Sequence, residues 1–291
     1  MNILKERVRW SPNFIRAFGP AGGLRLLRGI VRSLPRESDT VQAHQVPGYA
    51  HPIHLRRTVS DHATFRQCMV MQQYDFSALP QAARMAETYQ SLLRQGQRPL
   101  IIDAGANIGL ATLWFARVFP EATIVAVEPD TRNFNLLEQN TRHLKDRVVL
   151  LKGGVWSRPA HLGILNPGAG AAGYQVGEVP ADDPNGVRAY TMEEICQQAG
   201  VSAPLIVKLD IEGAQAQVFQ EGTDWVARTH LITLELDDWQ LPWKGTSRSF
   251  FRCVSQHPFD YLIHKESIFC FRDAGAGAGE SASPGTTASQ P

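Results

Sequence analysis

The 291-residue sequence has few cysteines and almost no net charge. Its formal net charge of +1 gives no long-range field that would attract nucleic acid. The cysteines lie far apart and form no Cys-x-x-Cys pair, which argues against a zinc site and a disulfide framework. They are Cys68, Cys196, Cys253 and Cys270. We therefore expect a cytoplasmic protein that does not bind nucleic acid.

Long apolar runs are also missing. No run reaches the roughly 18 residues that suggest a membrane-spanning helix. The N-terminal residues MNILKERVRW carry charges where a signal peptide needs an apolar centre. The histidines His161, His230 and His257 show no metal-ligand spacing. Secretion, membrane spanning and a resident metal are not predicted.

Positive charge is nevertheless concentrated in residues 1–36, which hold eight Lys or Arg and one acidic residue, Glu6. From Leu24 to Leu34, apolar residues recur at helical spacing, three arginines fall on another face, and Pro35 ends the run. This pattern predicts a short basic amphipathic helix. We expect it to pack on the folded protein, and peripheral contact with an anionic membrane is the alternative.

Apolar runs and helical patterns alternate along the middle of the chain. Seven runs predict strands, at 100–103, 123–128, 148–152, 205–210, 231–236, 261–264 and 267–271. Helical patterns lie near 110–118, 132–144, 214–220 and 247–255. Only Lys265 and Glu266 separate the last two runs, which predicts an antiparallel hairpin. The sequence therefore predicts an α/β fold with a doubly wound, mostly parallel seven-stranded sheet and an antiparallel edge hairpin. The Gly-rich stretch 163–186 is predicted to be an irregular insertion.

The first predicted strand ends in DAGANIG, residues 103–109. Small residues let the backbone approach a ligand at the carboxyl end of a central strand. A carboxylate at Asp103 suits a cation, such as the ammonium and sulfonium groups of S-adenosylmethionine, better than a pyrophosphate. The NAD fingerprint fails because Asn107 and Leu110 stand where it needs glycine. We predict a cofactor site formed by Asp103, Gly105, Ala106, Asn107 and Gly109, with a plain strand-to-helix turn as the alternative.

The next two strands extend this predicted site. Glu128 ends the second strand, 25 residues after Asp103, where a carboxylate can accept hydrogen bonds from both ribose hydroxyls of a nucleoside. The third strand leads to Gly154 and Trp156. Gly154 gives flexible backbone, and the Trp156 ring can flank an adenine or belong to the core.

Ionisable residues also end the fourth strand. Strand periodicity places Lys208, Asp210 and Glu212 on one face. Methyl transfer to an alcohol requires removal of its proton, and Asp210 or Glu212 can accept that proton. Lys208 can stabilise the alkoxide or set the pKa of the base. Two alternatives are a divalent cation bound by the carboxylates and a solvated ion pair.

Two tryptophans follow the fifth strand, in DDWQLPWKG. The aromatic faces of Trp239 and Trp243, beside Asp237 and Asp238, suit a sugar ring or a flat metabolite. Packing of the loop is the alternative interpretation. These tryptophans are the predicted acceptor-binding residues.

Four phrases carry a family resemblance: DAGANIG at 103–109, EPDTRNFNLLEQN at 128–140, GVWS at 154–157 and KLDIEGAQ at 208–215. Over residues 51–271 the chain resembles the FkbM-type S-adenosylmethionine-dependent methyltransferases. The resemblance implies a class I, Rossmann-like methyltransferase fold and O-methylation of a sugar, glycan or secondary metabolite. Gln215 departs from the acidic residue usual there, so it is given no charge-dependent role.

The resemblance also suggests a division of the chain. LRRTVSDHATFRQ at 55–67, followed by Tyr74, looks like the segment that precedes the catalytic domain in such proteins and is inferred to cap the cofactor site. We expect a basic extension (1–50), a cap segment (51–98), a methyltransferase domain (99–273) and a disordered tail (274–291). A non-catalytic nucleotide-binding or membrane-docked module, and an NAD-dependent oxidoreductase, are competing interpretations.

Overall fold

The computed structural model describes residues 3–33, 38–165, 176–211, 213–239 and 241–273. The α-helices are α1 (Ile3–Phe18), α2 (Pro20–Ser33), α3 (Val59–Phe65), α4 (Ala82–Arg94), α5 (Leu110–Val118), α6 (Thr131–Thr141), α7 (Met192–Ala199), α8 (Gln215–Val218), α9 (Asp224–Arg228) and α10 (Arg248–Val254). A π-helix spans Arg66–Val70, and 3₁₀ turns span Arg142–Arg147 and Asp237–Trp239.

The strands are β1 (Ser38–His44), β2 (Ile53–Arg57), β3 (Leu100–Ala104), β4 (Thr123–Glu128), β5 (Val148–Lys152), β6 (Gly154–Val155), β7 (His161–Ile164), β8 (Val176–Glu178), β9 (Val187–Tyr190), β10 (Ile206–Leu209), β11 (Leu231–Leu234), β12 (Phe259–His264) and β13 (Ser267–Arg272). Seven of them form the central sheet, in the order β12-β13-β11-β10-β3-β4-β5.

The central sheet is parallel from β5 to β11, and β13 runs antiparallel to both β11 and β12. From β3 the chain winds to one side through β4 and β5, then returns to β10 and winds to the other side. This confirms the predicted doubly wound α/β fold and its antiparallel edge hairpin. The carboxyl ends of β3 and β10 lie side by side where the winding changes direction, which is where open α/β sheets hold ligands.

Both faces of the sheet are covered. Ile101 and Ile206 belong to a hydrophobic cluster that includes residues of α2 and α5, whereas Ile102 and Val207 belong to a second cluster with residues of α7 and α10. Consecutive strand residues thus alternate between two cores, as strand geometry requires. This double burial explains why the strands are continuous apolar runs rather than alternating patterns.

The predicted N-terminal helix exists as α2, but Leu24, where the predicted apolar stripe begins, does not lie on its buried face. Leu26, Leu27 and Ile30 are buried, whereas Leu24 is half exposed. The reason is the close approach of α1: a Cβ atom added to Gly23 would lie 2.4 Å from the Phe14 carbonyl oxygen. This contact turns the face containing residue 23 toward the core. Residue 34, the predicted end of the apolar stripe, lies outside the described residues.

The N-terminal elements share a core with the central sheet. Leu27, Ile53 and Phe65 belong to the same hydrophobic cluster as Ile101. Strands β1 and β2 pair antiparallel across the predicted boundary at residues 50 and 51. Among the described residues, no helix is long and apolar enough to cross a membrane. The predicted disordered tail, 274–291, lies outside the described residues.

The predicted irregular insertion at 163–186 is wrong in part. Strand β8 pairs antiparallel with β7, and β9 and β6 complete a small four-stranded sheet. Gly163 lies directly opposite Gly177 in this pairing. Because neither glycine carries a side chain, the two-residue period of a strand is hidden in the sequence. Residues 166–175, also within this stretch, lie outside the described residues.

Candidate functional site

The turn from β3 into α5 is held tightly between its neighbours. Gly105, Asn107 and Gly109 have φ values of +76°, +51° and +86°. The amides of Gly105 and Ala106 donate to the Val127 carbonyl oxygen at 3.0 and 2.9 Å. A Cβ atom on Gly105 would lie 1.8 Å from the carbonyl oxygen of Asp210. Glycine is therefore required at 105, and the loop packs directly on the ends of β4 and β10.

Glu128 ends β4 and anchors this glycine loop. Its Oε2 accepts a hydrogen bond from the Asn107 amide at 2.8 Å, and its Oε1 accepts one from the Asp130 amide at 3.0 Å. Asn133 Nδ2 lies 3.4 Å from Oε1. Burial raises the pKa of Glu128, although these donors act in the opposite direction. The predicted ribose-binding carboxylate thus lies beside the loop at the same edge of the sheet.

Asp103 and Lys208 form a buried ion pair across β3 and β10, where they are register partners. Lys208 Nζ lies 2.8 Å from Asp103 Oδ1 and donates to the Gly105 carbonyl oxygen at 2.8 Å. Thr112 Oγ1 donates to the other oxygen of Asp103 at 2.6 Å. Burial opposes the charge on Lys208, but Asp103 and Asp210 outweigh it and raise the pKa of the lysine. Lys208 therefore remains a cation, and the Asp103 charge is compensated within the protein.

Two carboxylates lie one row further along the same strands. Asp210 follows β10, its Oδ2 is 3.8 Å from Lys208 Nζ, and 37% of its side chain is exposed. Glu235 follows β11, and continuing the register of Leu209 with Leu234 pairs it with Asp210. Burial, then the carboxylates of Asp210 and Glu266, raise the pKa of Glu235 to about 7. Glu235 can therefore gain or lose a proton near neutral pH.

Glu235 was not singled out in the sequence. The apolar run predicted a strand over 231–236, which places this acid inside a strand, whereas β11 ends at Leu234. An acid at the carboxyl end of the fifth strand, adjacent to the fourth, is the signal that identifies it.

A cavity of about 450 Å³ lies over these strand ends. It is lined by the glycine loop at Gly105–Asn107, by Asp210 and Glu235, and by the segment from Ser60 to Tyr74. The Tyr74 ring lies 5.9 Å from Lys208 Nζ. Burial, reinforced by Asp210, raises the pKa of Tyr74 well above its ordinary value, so its phenol stays protonated. The volume falls within the range of about 300–1,000 Å³ typical of small-molecule and cofactor sites.

Other predicted site residues lie in different surroundings. Trp239 lines the cavity and is largely exposed, whereas Trp243 is fully exposed and does not line it. Trp156 is buried, packs in a small cluster outside the cavity lining and donates from Nε1 to Glu178 Oε1 at 2.9 Å. Gly154 also lies outside the lining, with little room beside it, because an added Cβ would lie 2.8 Å from Leu162. Glu212 lies outside the described residues.

No group of three or more His, Cys, Asp or Glu side chains in the described part of the chain is arranged to hold a metal ion. The carboxylates that share the cavity have Lys208 and Arg66 among their neighbours in its lining. A divalent cation bound by Asp210 and Glu212 therefore remains a prediction without a described ligand cluster.

The conserved profile of the methyltransferase FkbM domain matches residues 103–252, just over half of the chain. The chain belongs to the FkbM methyltransferase family. The matched range contains the glycine loop, Glu128, Lys208, Asp210 and Glu235. It begins after β2 and α3, so the FkbM profile does not include the N-terminal wall of the cavity.

Two curated relatives are methyltransferases. The 2-O-methyltransferase NoeI of Sinorhizobium fredii is 25% identical in an alignment 161 residues long, and the match covers 49% of this chain and 65% of NoeI. The methyltransferase sdnD of Sordaria araneosa is 48% identical over 42 residues, which are 14% of this chain and 16% of sdnD. The chain thus spans less than two thirds of either relative.

Among solved structures, an FkbM methyltransferase from Methylobacillus flagellatus aligns with a TM-score of 0.43 at 16% identity. The alignment covers 60% of this chain and 43% of that protein.

Proposed function

We propose that the protein transfers a methyl group from S-adenosylmethionine to a hydroxyl group of a sugar, a glycan or a secondary metabolite. One observation carries the proposal: a single cavity joins the glycine loop of β3 to the carboxylates of Asp210 and Glu235. Membership of the FkbM family supports methyl transfer. The similarity to a 2-O-methyltransferase favours oxygen as the methyl acceptor.

The glycine loop fits the cofactor. Its backbone borders the cavity at Gly105–Asn107, and Glu128 lies behind Asn107 with its carboxylate at the same edge. In this proposal the loop, Gly109 and Glu128 hold the nucleoside, and the Lys208–Asp103 pair fixes the loop through the Gly105 carbonyl. Bound S-adenosylmethionine supplies an electrophilic methyl group. Gly109, Glu128, Gly154 and Trp156 do not themselves border the cavity, so their contacts with the cofactor remain predictions.

The acceptor hydroxyl must lose its proton as the methyl group is transferred. Asp210 and Glu235 are the proposed proton acceptors because both border the cavity and follow adjacent strands. Lys208 cannot serve as the base, since its ammonium group is buried and paired. Its Nζ instead lies 3.8 Å from Asp210 Oδ2, so Lys208 is a fixed cation beside the proposed base.

The rim and charge of the cavity suggest the kind of acceptor. Trp239 offers an exposed aromatic face at the lining, and Trp243 follows in the same loop. The lining also contains the acidic residues Asp210, Glu235, Asp237 and Glu266, against Arg66 and the paired Lys208. Like charges disfavour an anionic ligand. We therefore propose an uncharged or amino-bearing acceptor with a ring that stacks on Trp239.

The test uses S-adenosylmethionine with a tritiated methyl group and a panel of neutral, amino and acidic methyl glycosides together with simple phenols. Label in a neutral or amino sugar, with release of S-adenosylhomocysteine, is the expected result. Absence of both binding and thermal stabilisation by S-adenosylhomocysteine would refute the proposal. Tight binding without transfer to any acceptor would favour the alternative of a non-catalytic nucleotide-binding module.

A further inference from the structure

Two asparagines of α6 connect the cofactor site to β2. Asn133 and Asn140 are seven residues apart, so they lie two turns apart on the same side of the helix. Their partners, Arg56 and His54, are two residues apart on β2. The helix and the strand therefore meet at two polar contacts, both close to groups of the predicted cofactor site.

The first contact holds the glycine loop. Asn140 is buried, and its Oδ1 accepts from the His54 amide at 2.8 Å. Its Nδ2 donates to the Ile108 carbonyl oxygen at 2.8 Å and to the His54 carbonyl oxygen at 3.1 Å. One side chain thus ties β2 directly to the loop between β3 and α5.

The second contact reaches Glu128. Arg56 Nη2 donates to Asn133 Oδ1 at 2.6 Å, and Asn133 Nδ2 lies 3.4 Å from Glu128 Oε1. An amide has one acceptor end and one donor end. Because Arg56, which has only donors, engages the oxygen, the NH₂ group of Asn133 must face the carboxylate. Arg56 therefore fixes which end of Asn133 meets Glu128.

Arg56 is itself held in place by Asp61, which is buried at 1% exposure. The Arg56 guanidinium donates through Nη2 to Asp61 Oδ1 at 2.7 Å and through Nε to Oδ2 at 3.1 Å. The Arg56 amide also donates to Oδ2 at 2.7 Å. Such bidentate hydrogen bonds between charged groups fix the orientation of the guanidinium and also stabilise the contact.

These contacts distinguish the two oxygens of Glu128. Oε1 faces the Asp130 amide and Asn133, whereas Oε2 has the Asn107 amide as its partner. A carboxylate oxygen can accept about two hydrogen bonds. Oε2, on the side of the cavity-lining residue Asn107, therefore retains acceptor capacity for a ligand hydroxyl.

We propose that Arg56 and Asn133 are positioning residues that orient Glu128 toward the ribose hydroxyls of the cofactor. The inference rests on the proposed function, since it assumes that Glu128 binds that ribose. It makes the segment before residue 103, which the FkbM profile does not cover, part of the cofactor site. Arg56 and Asn133 act through Glu128 and have no direct contact with the cofactor in this proposal.

Calorimetry on the full chain tests the proposal with two probes, S-adenosylhomocysteine and its 2′-deoxyribose analogue. The expected result is that Asn133→Ala and Arg56→Ala each weaken S-adenosylhomocysteine about tenfold, the size of one hydrogen bond to a charged group. The affinity for the analogue should fall by a smaller factor, so both variants should discriminate less between the ribose and the 2′-deoxyribose ligand. A general structural defect would weaken both probes equally, and that outcome, or unchanged affinities, would overturn the proposal.

Two further variants and the wild-type protein serve as controls. Arg84→Ala removes an exposed arginine that pairs with Asp273, and it should leave both affinities unchanged. The double variant R56A/N133A should lose no more affinity than N133A alone, because Arg56 acts on Glu128 only through Asn133. Additive losses of affinity would contradict this. If R56A does not fold, N133A decides the question, since it leaves the Arg56–Asp61 pair intact. Wild-type protein that fails to bind S-adenosylhomocysteine would refute the proposed function rather than this inference.

Discussion

The ends of β3 and β4 differ from the ends of β10 and β11 in how their carboxylates are satisfied. Asp103 has Lys208 and Thr112 as donors, and Glu128 has two backbone amides. At the ends of β10 and β11, Asp210 Oδ2 is 3.8 Å from Lys208 Nζ, and Glu235 faces the like charges of Asp210 and Glu266. The first side is organised before any ligand binds. On the second side, Glu235 has a pKa raised to about 7 by burial and by the neighbouring carboxylates of Asp210 and Glu266.

This contrast predicts separate roles for the two sides. A preorganised set of donors and acceptors suits a ligand that is always the same, as a cofactor is. A carboxylate that can exchange a proton near neutral pH, as Glu235 can, suits a reacting hydroxyl. Substitutions on the first side should change stability and cofactor affinity, whereas substitutions on the second side should change turnover.

The largest effect is expected from Asp210→Asn. Loss of a positioned base lowers turnover by about 10²–10⁴-fold, whereas S-adenosylhomocysteine affinity should stay within a few-fold of wild type. Initial rates of tritiated methyl transfer and calorimetry measure the two quantities. Asp182→Asn, an exposed change outside the cavity lining, is the matched control. Full activity in D210N would remove Asp210 from the proposed mechanism.

Lys208→Met should strongly destabilise the fold, because it leaves the Asp103 carboxylate buried without its cation. Breaking a buried pair by removing one partner costs about 3–5 kcal/mol. Urea denaturation followed by circular dichroism measures the free energy of unfolding. Arg84→Met, which breaks an exposed pair, should cost less than about 1 kcal/mol. Equal losses in the two variants would contradict the role assigned to the buried pair.

Glu128→Ala should weaken S-adenosylhomocysteine by about 10–100-fold, since hydrogen bonds to a charged group contribute about 1.5–3 kcal/mol. Turnover at saturating cofactor should change much less. Titration calorimetry gives the affinity. The control is Glu138→Ala, which replaces an exposed acidic residue on α6. An E128A protein that binds like wild type would show that the ribose lies elsewhere.

The smallest effect is a pH-dependent gain in stability from Glu235→Gln. The pKa of Glu235 is raised from 4.5 to about 7 in the folded protein, so folding binds a proton between these values. Stability therefore falls as the pH rises through this window. At pH 8 the variant should be more stable by ~1–2 kcal/mol, a value reduced because the side chain is partly exposed.

At pH 5 this gain should largely vanish, because wild-type Glu235 is then protonated in the folded state. Urea titrations at both pH values measure the difference, with Glu138→Gln as the exposed control. Lower stability of E235Q than of wild type at pH 8 would show that Glu235 is not under the electrostatic strain inferred from Asp210 and Glu266.

The sequence predicted the residues at the strand ends well, because buried parallel strands leave clear apolar runs that end in polar residues. Asp103, Glu128 and Asp210 all follow from this pattern. The pairing of Lys208 with Asp103 depends on β10 lying next to β3, which strand order alone decides. Glu235 was missed because the apolar run continues one residue past it, to Leu236.

Other features depend on contacts that carry no local signal. The buried face of α2 is set by the approach of α1 at Gly23, and a helical pattern cannot show which neighbour is present. Arg56 is one of several arginines in the N-terminal part of the chain. Only the packing of β2 against α6 distinguishes it, by bringing it to Asn133.

A crystal structure of the protein with S-adenosylhomocysteine tests the central claim most directly. The proposed division predicts the ribose hydroxyls against Glu128, the homocysteine sulfur in the cavity, and Asp210 and Glu235 on the side of the sulfur from which an acceptor approaches. A cofactor bound outside the glycine loop, or a sulfur facing away from both carboxylates, would contradict it.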